Sequence, residues 1–199
     1  MSHDPTHLPP DLPAPADDGA CAGLPGTAMP ALSLPATDGR MVRVDQAAGE
    51  GRRLVLFAYP RTGRPGEDPL VADWDLIPGA RGCTPESCAF RDLAEDLRAA
   101  GAEVMGLSTQ DTAYQQEAVQ RLHLPYPLLS DAALELTRAL RLPTFEAAGQ
   151  TLLRRFTLVI GNGVIEHTFY PVFPPDRHPE EVLAWLRRHS TVRHSTGTA

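Results

Sequence analysis

Residues 82–90 read GCTPESCAF and place two of the three cysteines of the chain, Cys83 and Cys88, five positions apart. Pro85 suits the first turn of a helix, and Thr84 just before it is a favourable N-cap residue. Apolar side chains recur at helical spacing in the residues that follow. The stretch therefore predicts a helix that begins at Thr84, with one cysteine just ahead of its first turn and the other inside it.

A buried strand is predicted before this helix. Residues 52–60 read RRLVLFAYP, a continuous apolar run that ends at Pro60, and residues 61–82 form a loop rich in proline and glycine. In open α/β sheets, reactive groups collect at the carboxyl edge, between a strand and the helix that follows it. We therefore expect Cys83 at that edge, where the N–H groups and the dipole of the helix favour its thiolate form. Arg81 lies two residues upstream and would strengthen this effect.

The rest of the chain alternates predicted strands and helices. The predicted elements are a hairpin over residues 30–45, strands over 102–109 and 128–129, helices over 84–100, 112–124, 132–142 and 178–188, and a hairpin over 154–171 with an Asn162-Gly163 turn. This order indicates an α/β fold with a mixed sheet, flanking helices and an N-terminal β-hairpin. Proline-rich residues 1–28 predict a disordered or extended N-terminal tail, residues 29–189 the folded domain and residues 190–199 a flexible C-terminal tail.

Composition narrows the possible functions. The formal net charge of −7 disfavours nucleic acid as a partner. All 18 positively charged residues are arginines, and the absence of lysine excludes a lysine Schiff base, a pyridoxal-phosphate anchor and a P-loop. No apolar run is long enough to span a membrane, and no secretion signal is visible. We therefore expect a cytoplasmic protein, in which a close cysteine pair is redox-active or metal-binding rather than structural.

The spacing of the two cysteines restricts what they can form. Five positions along a helix separate two Cα atoms by roughly 8–9 Å, whereas a disulfide tolerates about 7 Å at most. Cys83 and Cys88 can therefore bond only if the first turns of the helix unwind, which suits a redox switch. The alternative for each is burial as a small apolar side chain. A zinc site is disfavoured because no second pair of ligands lies nearby, and we expect neither a metal nor a cofactor.

The residues YPRTG at 59–63 and GCTPESCAFRDL at 82–93 resemble the peroxiredoxins, in particular the Q-type or bacterioferritin-comigratory branch. The resemblance covers about residues 30–188. It implies a thioredoxin-like fold and a thiol-dependent peroxidase that reduces hydrogen peroxide and organic hydroperoxides. By this resemblance, Cys83 is the peroxidatic cysteine, which becomes a sulfenic acid, and Cys88 is the resolving cysteine, which forms an intramolecular disulfide with it. Thioredoxin or a similar dithiol would reduce that disulfide in a monomeric or dimeric enzyme.

The resemblance also implies roles for residues outside the cysteine stretch. Pro60 matches the loop proline of the family. Arg155 matches its essential arginine, which stabilises the thiolate and polarises the peroxide bond. Since side chains alternate along a strand, Arg154 is expected to face the other way. Two solvated arginines at the start of a strand are the alternative.

An insertion sets this chain apart from the family pattern. It lengthens the segment between Pro60 and Cys83, and Ala80 occupies the position of the threonine that the family places three residues before the cysteine. Thr62 or Thr84 could supply the hydroxyl that holds the peroxide, and the sequence leaves this choice open. Trp74, inside the insertion, is expected to anchor the loop, with capping of the pocket as the alternative.

The nearest variant is a peroxidase that uses only Cys83, with a small thiol as its reductant. A non-enzymatic thioredoxin-fold redox sensor or binding module, using the same cysteine pair, is the rival interpretation from another class of function. The displaced threonine favours it, because peroxide positioning would then be lost while cysteine reactivity is kept. Cys21, in the predicted N-terminal tail, is expected to be unpaired.

Overall fold

The computed structural model describes residues 5–189. Its helices are α1 (Cys83–Asp92), α2 (Ala94–Ala99), α3 (Thr112–Leu122), α4 (Glu135–Leu140) and α5 (His178–Arg188). Its strands are β1 (Ser33–Pro35), β2 (Met41–Arg43), β3 (Arg53–Ala58), β4 (Ala102–Ser108), β5 (Leu128–Ser130), β6 (Thr144–Ala147), β7 (Gln150–Leu153), β8 (Phe156–Gly161) and β9 (Val164–Phe169).

The central sheet has five strands in the order β5-β4-β3-β8-β9. Strands β3, β4 and β5 run parallel, whereas β8 pairs antiparallel with both β3 and β9. Strands β1 and β2 form the predicted N-terminal hairpin. The predicted α/β fold with a mixed sheet and a leading hairpin is therefore confirmed.

Strand β3 is apolar from Leu54 to Ala58 because both of its faces are covered there. Leu54, Leu56 and Ala58 belong to one buried cluster, with α4 and the β1–β2 hairpin. Val55 and Phe57 belong to a second cluster on the other face, with α1, α2, α3 and α5. The sheet is therefore covered on both faces. The loop that leads to α1 begins at the carboxyl end of β3.

The start of α1 differs from the prediction. Thr84 is not the N-cap: the N-cap is Gly82, whose φ of 105° lies in the left-handed region, and no side chain of the described residues caps the helix. A side chain at position 82 would collide with Pro175, so glycine is required there on both counts. Cys83 is consequently the first residue of the helix rather than the residue ahead of its cap.

Two further differences lie outside the cysteine helix. The single helix predicted over residues 84–100 is two helices that meet at Leu93, where the backbone leaves the helical region. The β6–β7 hairpin was not predicted, because residues 143–153 lack a strong turn dipeptide and a clear alternation. This hairpin lies just before Arg155 and supplies part of a small apolar cluster with Trp74.

Residues 5–28 contain no helix and pack against the domain. Cys21 and Leu24 are buried in the same cluster as β3, and the hydroxyl of Tyr170 donates to Asp18 across 2.8 Å. The described part of this predicted tail therefore runs through several turns and packs against the folded domain. The predicted flexible tail over residues 190–199 lies outside the described residues, and the domain boundaries remain predictions.

A search of residues 5–189 for membrane-spanning helices finds none that is both long enough and apolar enough.

Candidate active site

Cys83 lies at the N-terminus of α1, behind the loop that follows β3. Its side chain is only 3% exposed and belongs to the apolar cluster under α1. In its thiol form, Cys83 donates weakly from Sγ to the carbonyl of Ala80 across 3.5 Å. The N–H groups of Cys83 and Thr84 lie in the first turn, where a helix offers them no intrahelical partner, so the positive end of the helix dipole is at this residue.

Arg155 brings a positive charge to the same sulfur. It lies between β7 and β8, is 3% exposed, and its Nη2 donates to Cys83 Sγ across 3.1 Å. The carbonyls of Gly79 and Arg81 also accept from Nη2, each at 3.2 Å. Burial by itself lowers the pKa of Arg155, but the negative charges of Cys83 and Glu86 outweigh burial and raise it. The guanidinium therefore stays charged although it is buried.

Arg154 faces away from the sulfur. Its Nε donates to the carbonyl of Thr144 across 3.2 Å, and its Nη1 lies 3.5 Å from the carboxylate of Asp18 near the surface. The alternation expected at the start of a strand accounts for this difference between neighbouring arginines. The structure thus brings Arg155, and not Arg154, to Cys83.

Glu86 completes the charged group under the sulfur. It is fully buried and forms an ion pair with Nη1 of Arg155. Burial raises the pKa of Glu86, while the nearby Arg155 and His178 oppose that rise. Sequence reasoning missed this residue, because a glutamate in the first turn of a helix is readily explained as compensation of the helix dipole.

A cavity of about 170 Å³ opens beside Cys83. The inserted loop supplies much of its wall, together with Thr62, Thr84 and Tyr114. Trp74 also lines it, yet Trp74 is only 5% exposed and its ring lies 6.2 Å from that of Phe145. Trp74 therefore anchors the loop in the apolar cluster and borders the cavity at the same time.

The two candidate threonines differ in their hydrogen bonding. Thr62 is fully buried, and its backbone N–H and its hydroxyl both donate to Oε1 of Gln110, at 3.0 and 3.2 Å. Thr84 is 2% exposed, and its Oγ1 has no hydrogen-bond partner among the described residues. Pro60 is buried at the end of the strand segment, and its carbonyl accepts from Ser108 Oγ across 3.0 Å. Pro60 thus lies where the loop leaves β3 and is not one of the residues that line the cavity.

Cys88 lies on the same helix as Cys83, and both are free thiols. Burial raises the pKa of the Cys88 thiol. The intervening turn is held by Ser87, whose hydroxyl donates to the carbonyl of Cys83 across 2.9 Å. The carbonyl of Ser87 in turn accepts from the hydroxyl of Tyr126 across 2.6 Å. While these bonds persist, the helical separation of the two cysteines forbids a disulfide.

Cys21, the third cysteine, is free and buried in the cluster on the opposite side of the sheet from Cys83. Burial, with Asp18 and Asp17 adding negative charge, raises its pKa to about 12. Within residues 5–189, no three His, Cys, Asp or Glu side chains are placed to hold a metal ion together.

The sequence of this chain is similar to those of known proteins. The Redoxin family model matches residues 24–184. Peroxiredoxin Q, chloroplastic, of Oryza sativa subsp. japonica is 34% identical over 163 residues, which cover 81% of this chain and 66% of the rice protein. The chain thus spans just under two thirds of that relative. Peroxiredoxin Q, chloroplastic, of Arabidopsis thaliana is 30% identical over 162 residues, with 81% and 66% covered.

Comparison with solved structures agrees with these sequence matches. The crystal structure of peroxidoxin BcpB from Mycobacterium tuberculosis superposes with a TM-score of 0.67 at 27% identity, covering 83% of this chain and 97% of that one. PrxQ from Xylella fastidiosa superposes with a TM-score of 0.66 at 22% identity, covering 82% and 95%, and supports the fold alone. The predicted thioredoxin-like fold is confirmed by these matches.

Proposed function

Because the chain belongs to the redoxin family, and within it to the Q-type peroxiredoxins, we propose that it is a thiol-dependent peroxidase acting on hydrogen peroxide and organic hydroperoxides. One observation carries the assignment of Cys83 as the reactive cysteine. Its sulfur accepts from the buried guanidinium of Arg155 at 3.1 Å and also borders the cavity of about 170 Å³. A thiolate stabilised on one side and open to a small substrate on the other is what nucleophilic attack requires.

In the first step the Cys83 thiolate attacks the terminal oxygen of the hydroperoxide. An S–O bond forms and the O–O bond breaks, so the sulfur is oxidised to a sulfenic acid and the peroxide is reduced. The leaving oxygen departs with the electron pair of the broken bond, takes up a proton from solvent water, and is released as an alcohol or as water. Arg155 and the first N–H groups of α1 stabilise the negative charge as it moves from sulfur to oxygen.

In the second step Cys88 acts as the resolving cysteine. Its thiol condenses with the Cys83 sulfenic acid, an S–S bond forms, and one water molecule leaves. Since the two residues lie five positions apart on α1, the helix must unwind locally before the sulfurs can meet. Unwinding also exposes Cys88 and so removes the burial that raises its pKa in the folded helix.

A dithiol reductant closes the cycle. Thioredoxin or a similar protein attacks the disulfide, passes through a mixed disulfide and restores both thiols. We propose that the chain works where such dithiols are kept reduced, in a compartment such as the cytoplasm, although the curated relatives named above are chloroplastic.

The competing proposal is a redox sensor that uses the same disulfide. Ala80 favours it, because this position carries no hydroxyl. The cavity and its buried arginine favour the enzyme instead, since a sensor does not need a substrate pocket beside the sulfur. Measurement of catalytic turnover distinguishes the peroxidase from the sensor, because a sensor is oxidised once and consumes little reductant.

The decisive experiment measures intact mass after one equivalent of hydrogen peroxide and NADPH consumption with thioredoxin and thioredoxin reductase. We expect the unmodified chain to lose two hydrogens as a disulfide and to consume NADPH continuously. Cys88→Ser should gain one oxygen instead, and Cys83→Ser should show neither change. Continuous peroxide consumption by Cys83→Ser would refute the assignment, and a single stoichiometric oxidation of the unmodified chain would support the sensor.

A further inference from the structure

Two segments outside the family pattern border the cavity beside Cys83. Pro5 lines the cavity and lies upstream of residues 24–184, which the Redoxin family model matches. Leu70 and Trp74 also line it, and both belong to the inserted loop. The surroundings of the reactive sulfur are therefore shaped in part by residues that are particular to this chain.

The cavity is small for a substrate pocket. Its volume is about 170 Å³, whereas pockets for drug-sized ligands usually measure about 300–1,000 Å³. A cavity of about 150 Å³ binds a single benzene molecule. Hydrogen peroxide is much smaller than benzene and fits the space beside Cys83. Cumene hydroperoxide exceeds that space, because its benzene ring carries a branched alkyl group as well as the hydroperoxide.

The inserted loop is anchored at two places. Leu70 packs against the apolar cluster that contains the buried Trp74. Nε of Arg64 lies 3.6 Å from the carboxylate of Glu117 on α3, and the Arg64 guanidinium lies 4.0 Å from the centre of the Tyr114 ring. A loop held by both an apolar cluster and a helix does not move aside for a bulky substrate without loss of these contacts.

The N-terminal segment is held against the loop that leads into α1. The carbonyl of His7 accepts from Nη2 of Arg81 across 2.9 Å, and Arg81 itself lines the cavity. Leu8 Cδ2 lies 3.0 Å from the point where a Cβ on Gly82 would be. These contacts hold Pro5, two residues ahead of His7, at the border of the cavity.

We infer that the N-terminal segment and the inserted loop together restrict Cys83 to small hydroperoxides and exclude those that carry bulky organic groups. This inference rests on the proposed peroxidase function and narrows its substrate class. The Cys83 side chain is only 3% exposed, so a hydroperoxide has to enter the cavity before its terminal oxygen can reach the sulfur. A substrate whose organic group does not fit is held beyond the distance at which the thiolate can attack.

Oxidation of Cys83 by a small and by a bulky hydroperoxide tests the inference. The parent chain carries Cys88→Ser, so that oxidation ends at the sulfenic acid, and quenched-flow mass spectrometry follows the gain of one oxygen. Each rate constant is divided by that of free cysteine with the same peroxide, and the value for cumene hydroperoxide is then divided by the value for hydrogen peroxide. This ratio does not depend on the amount of thiolate, because the thiolate is the nucleophile in both reactions.

Three variants of the parent chain change the wall of the cavity. Deletion of residues 1–8 removes Pro5 together with the contacts of His7 and Leu8. Deletion of residues 1–4 keeps those contacts and is the matched control. Leu70→Ala removes side-chain volume from the inserted loop without shortening the chain, so it tests the same cavity independently of the deletion.

For the parent chain we expect a ratio of roughly one tenth or less, since a pocket discriminates by at least about tenfold for a single methylene group. Deletion of residues 1–8 and Leu70→Ala should each raise the ratio by roughly tenfold, because each removes more than one methylene group from the wall. Deletion of residues 1–4 should leave the ratio of the parent chain unchanged.

The inference is overturned if the parent chain does not discriminate between the two peroxides, or if neither the longer deletion nor Leu70→Ala raises the ratio. An equal rise after deletion of residues 1–4, or a rise confined to Leu70→Ala, would refute the role of the N-terminal segment. A rise confined to the longer deletion would refute the role of the inserted loop. Failure of the parent chain to react with either peroxide would instead refute the proposed function.

Discussion

The Nη2 atom of Arg155 lies 3.1 Å from the Sγ atom of Cys83. The same guanidinium forms an ion pair through Nη1 with Glu86, and the side chains of Arg155 and Glu86 are almost completely buried. One positive charge therefore serves two acidic groups in a site that excludes bulk water. The carboxylate of Glu86 and the sulfur of Cys83 therefore compete for the same guanidinium.

Substitution of the two neighbouring arginines tests this relationship. Arg155→Ala should slow alkylation of Cys83 by iodoacetamide at neutral pH by about tenfold or more, because loss of a charge-assisted hydrogen bond is worth about 1.5–3 kcal/mol. Arg154→Ala is the matched control and should alter the rate by less than about twofold, since its contacts are with Thr144 and Asp18 and an exposed pair contributes little. The reverse order of effects would show that the wrong arginine has been assigned.

Replacement of Glu86 by glutamine should have opposite effects on reactivity and stability. Removal of the competing carboxylate leaves the Arg155 charge to the sulfur, so alkylation of Cys83 at slightly acidic pH should become faster. The free energy of unfolding should fall by about 1–3 kcal/mol, because a buried charge-assisted bond is lost. Alkylation and urea unfolding give the two measurements. Slower alkylation in Glu86→Gln would mean that the carboxylate orients the guanidinium instead of competing for it.

The N-terminal segment is expected to slow the unwinding of α1. The carbonyl of His7 accepts from Arg81 across 2.9 Å, and Leu8 lies within 3.0 Å of the point where a Cβ on Gly82 would be. Pro5 lines the cavity beside Cys83. These contacts join the segment to the loop that leads into the helix, so their removal should lower the free energy of local opening.

Deletion of residues 1–15 should therefore accelerate formation of the Cys83–Cys88 disulfide after oxidation, as followed by quenched-flow mass spectrometry. Hydrogen exchange at residues 86–92 should become faster in the same variant. Deletion of residues 1–4 alone is the control, since it keeps these contacts. Identical disulfide rates for the two deletions would show that the segment does not restrain the helix.

Because the Cys21 thiol is buried, we expect the free energy of unfolding to fall at alkaline pH. Burial raises its pKa to about 12 in the folded chain, whereas an unfolded thiol titrates near about 8.5. The Cys21 thiol stays protonated to higher pH in the folded state than in the unfolded state. Its contribution to the free energy of unfolding is therefore fully present below about pH 8.5 and is lost progressively as pH rises towards about 12. The absence of lysine removes the usual competing titration in this range.

Urea unfolding of reduced protein at about pH 8 and about pH 10.5 measures this effect. Cys21→Ser removes the titrating thiol, and the fall in unfolding free energy between the two pH values should be smaller in this variant than in the unmodified chain. Cys83 and Cys88 are present in both proteins, so the difference isolates Cys21. Equal losses in the two proteins would show that burial of Cys21 does not shift its titration.

Local patterns in the sequence predicted most of the sheet and the elements next to the site. The run at residues 52–60 gives β3 because a strand covered on both faces is apolar throughout. The Asn162-Gly163 turn forms as predicted, with φ of 50° and 74°, because both residues tolerate the left-handed region. The spacing of apolar residues and the preference of certain residues for turns act over a few positions. These elements could therefore be predicted from the sequence of this chain.

The sequence by itself determined that a helix containing Cys88 follows β3, with Cys83 next to its start, and that adjacent arginines at 154 and 155 face opposite ways. Only the tertiary structure decided that Gly82, at a position where a side chain would collide with Pro175, caps that helix instead of Thr84. It also decided that Glu86 shares Arg155 with the sulfur and that the Thr84 hydroxyl has no hydrogen-bond partner within residues 5–189. These outcomes depend on burial and on contacts between segments distant in the chain, and such contacts leave no periodic or turn signal in the residues around them.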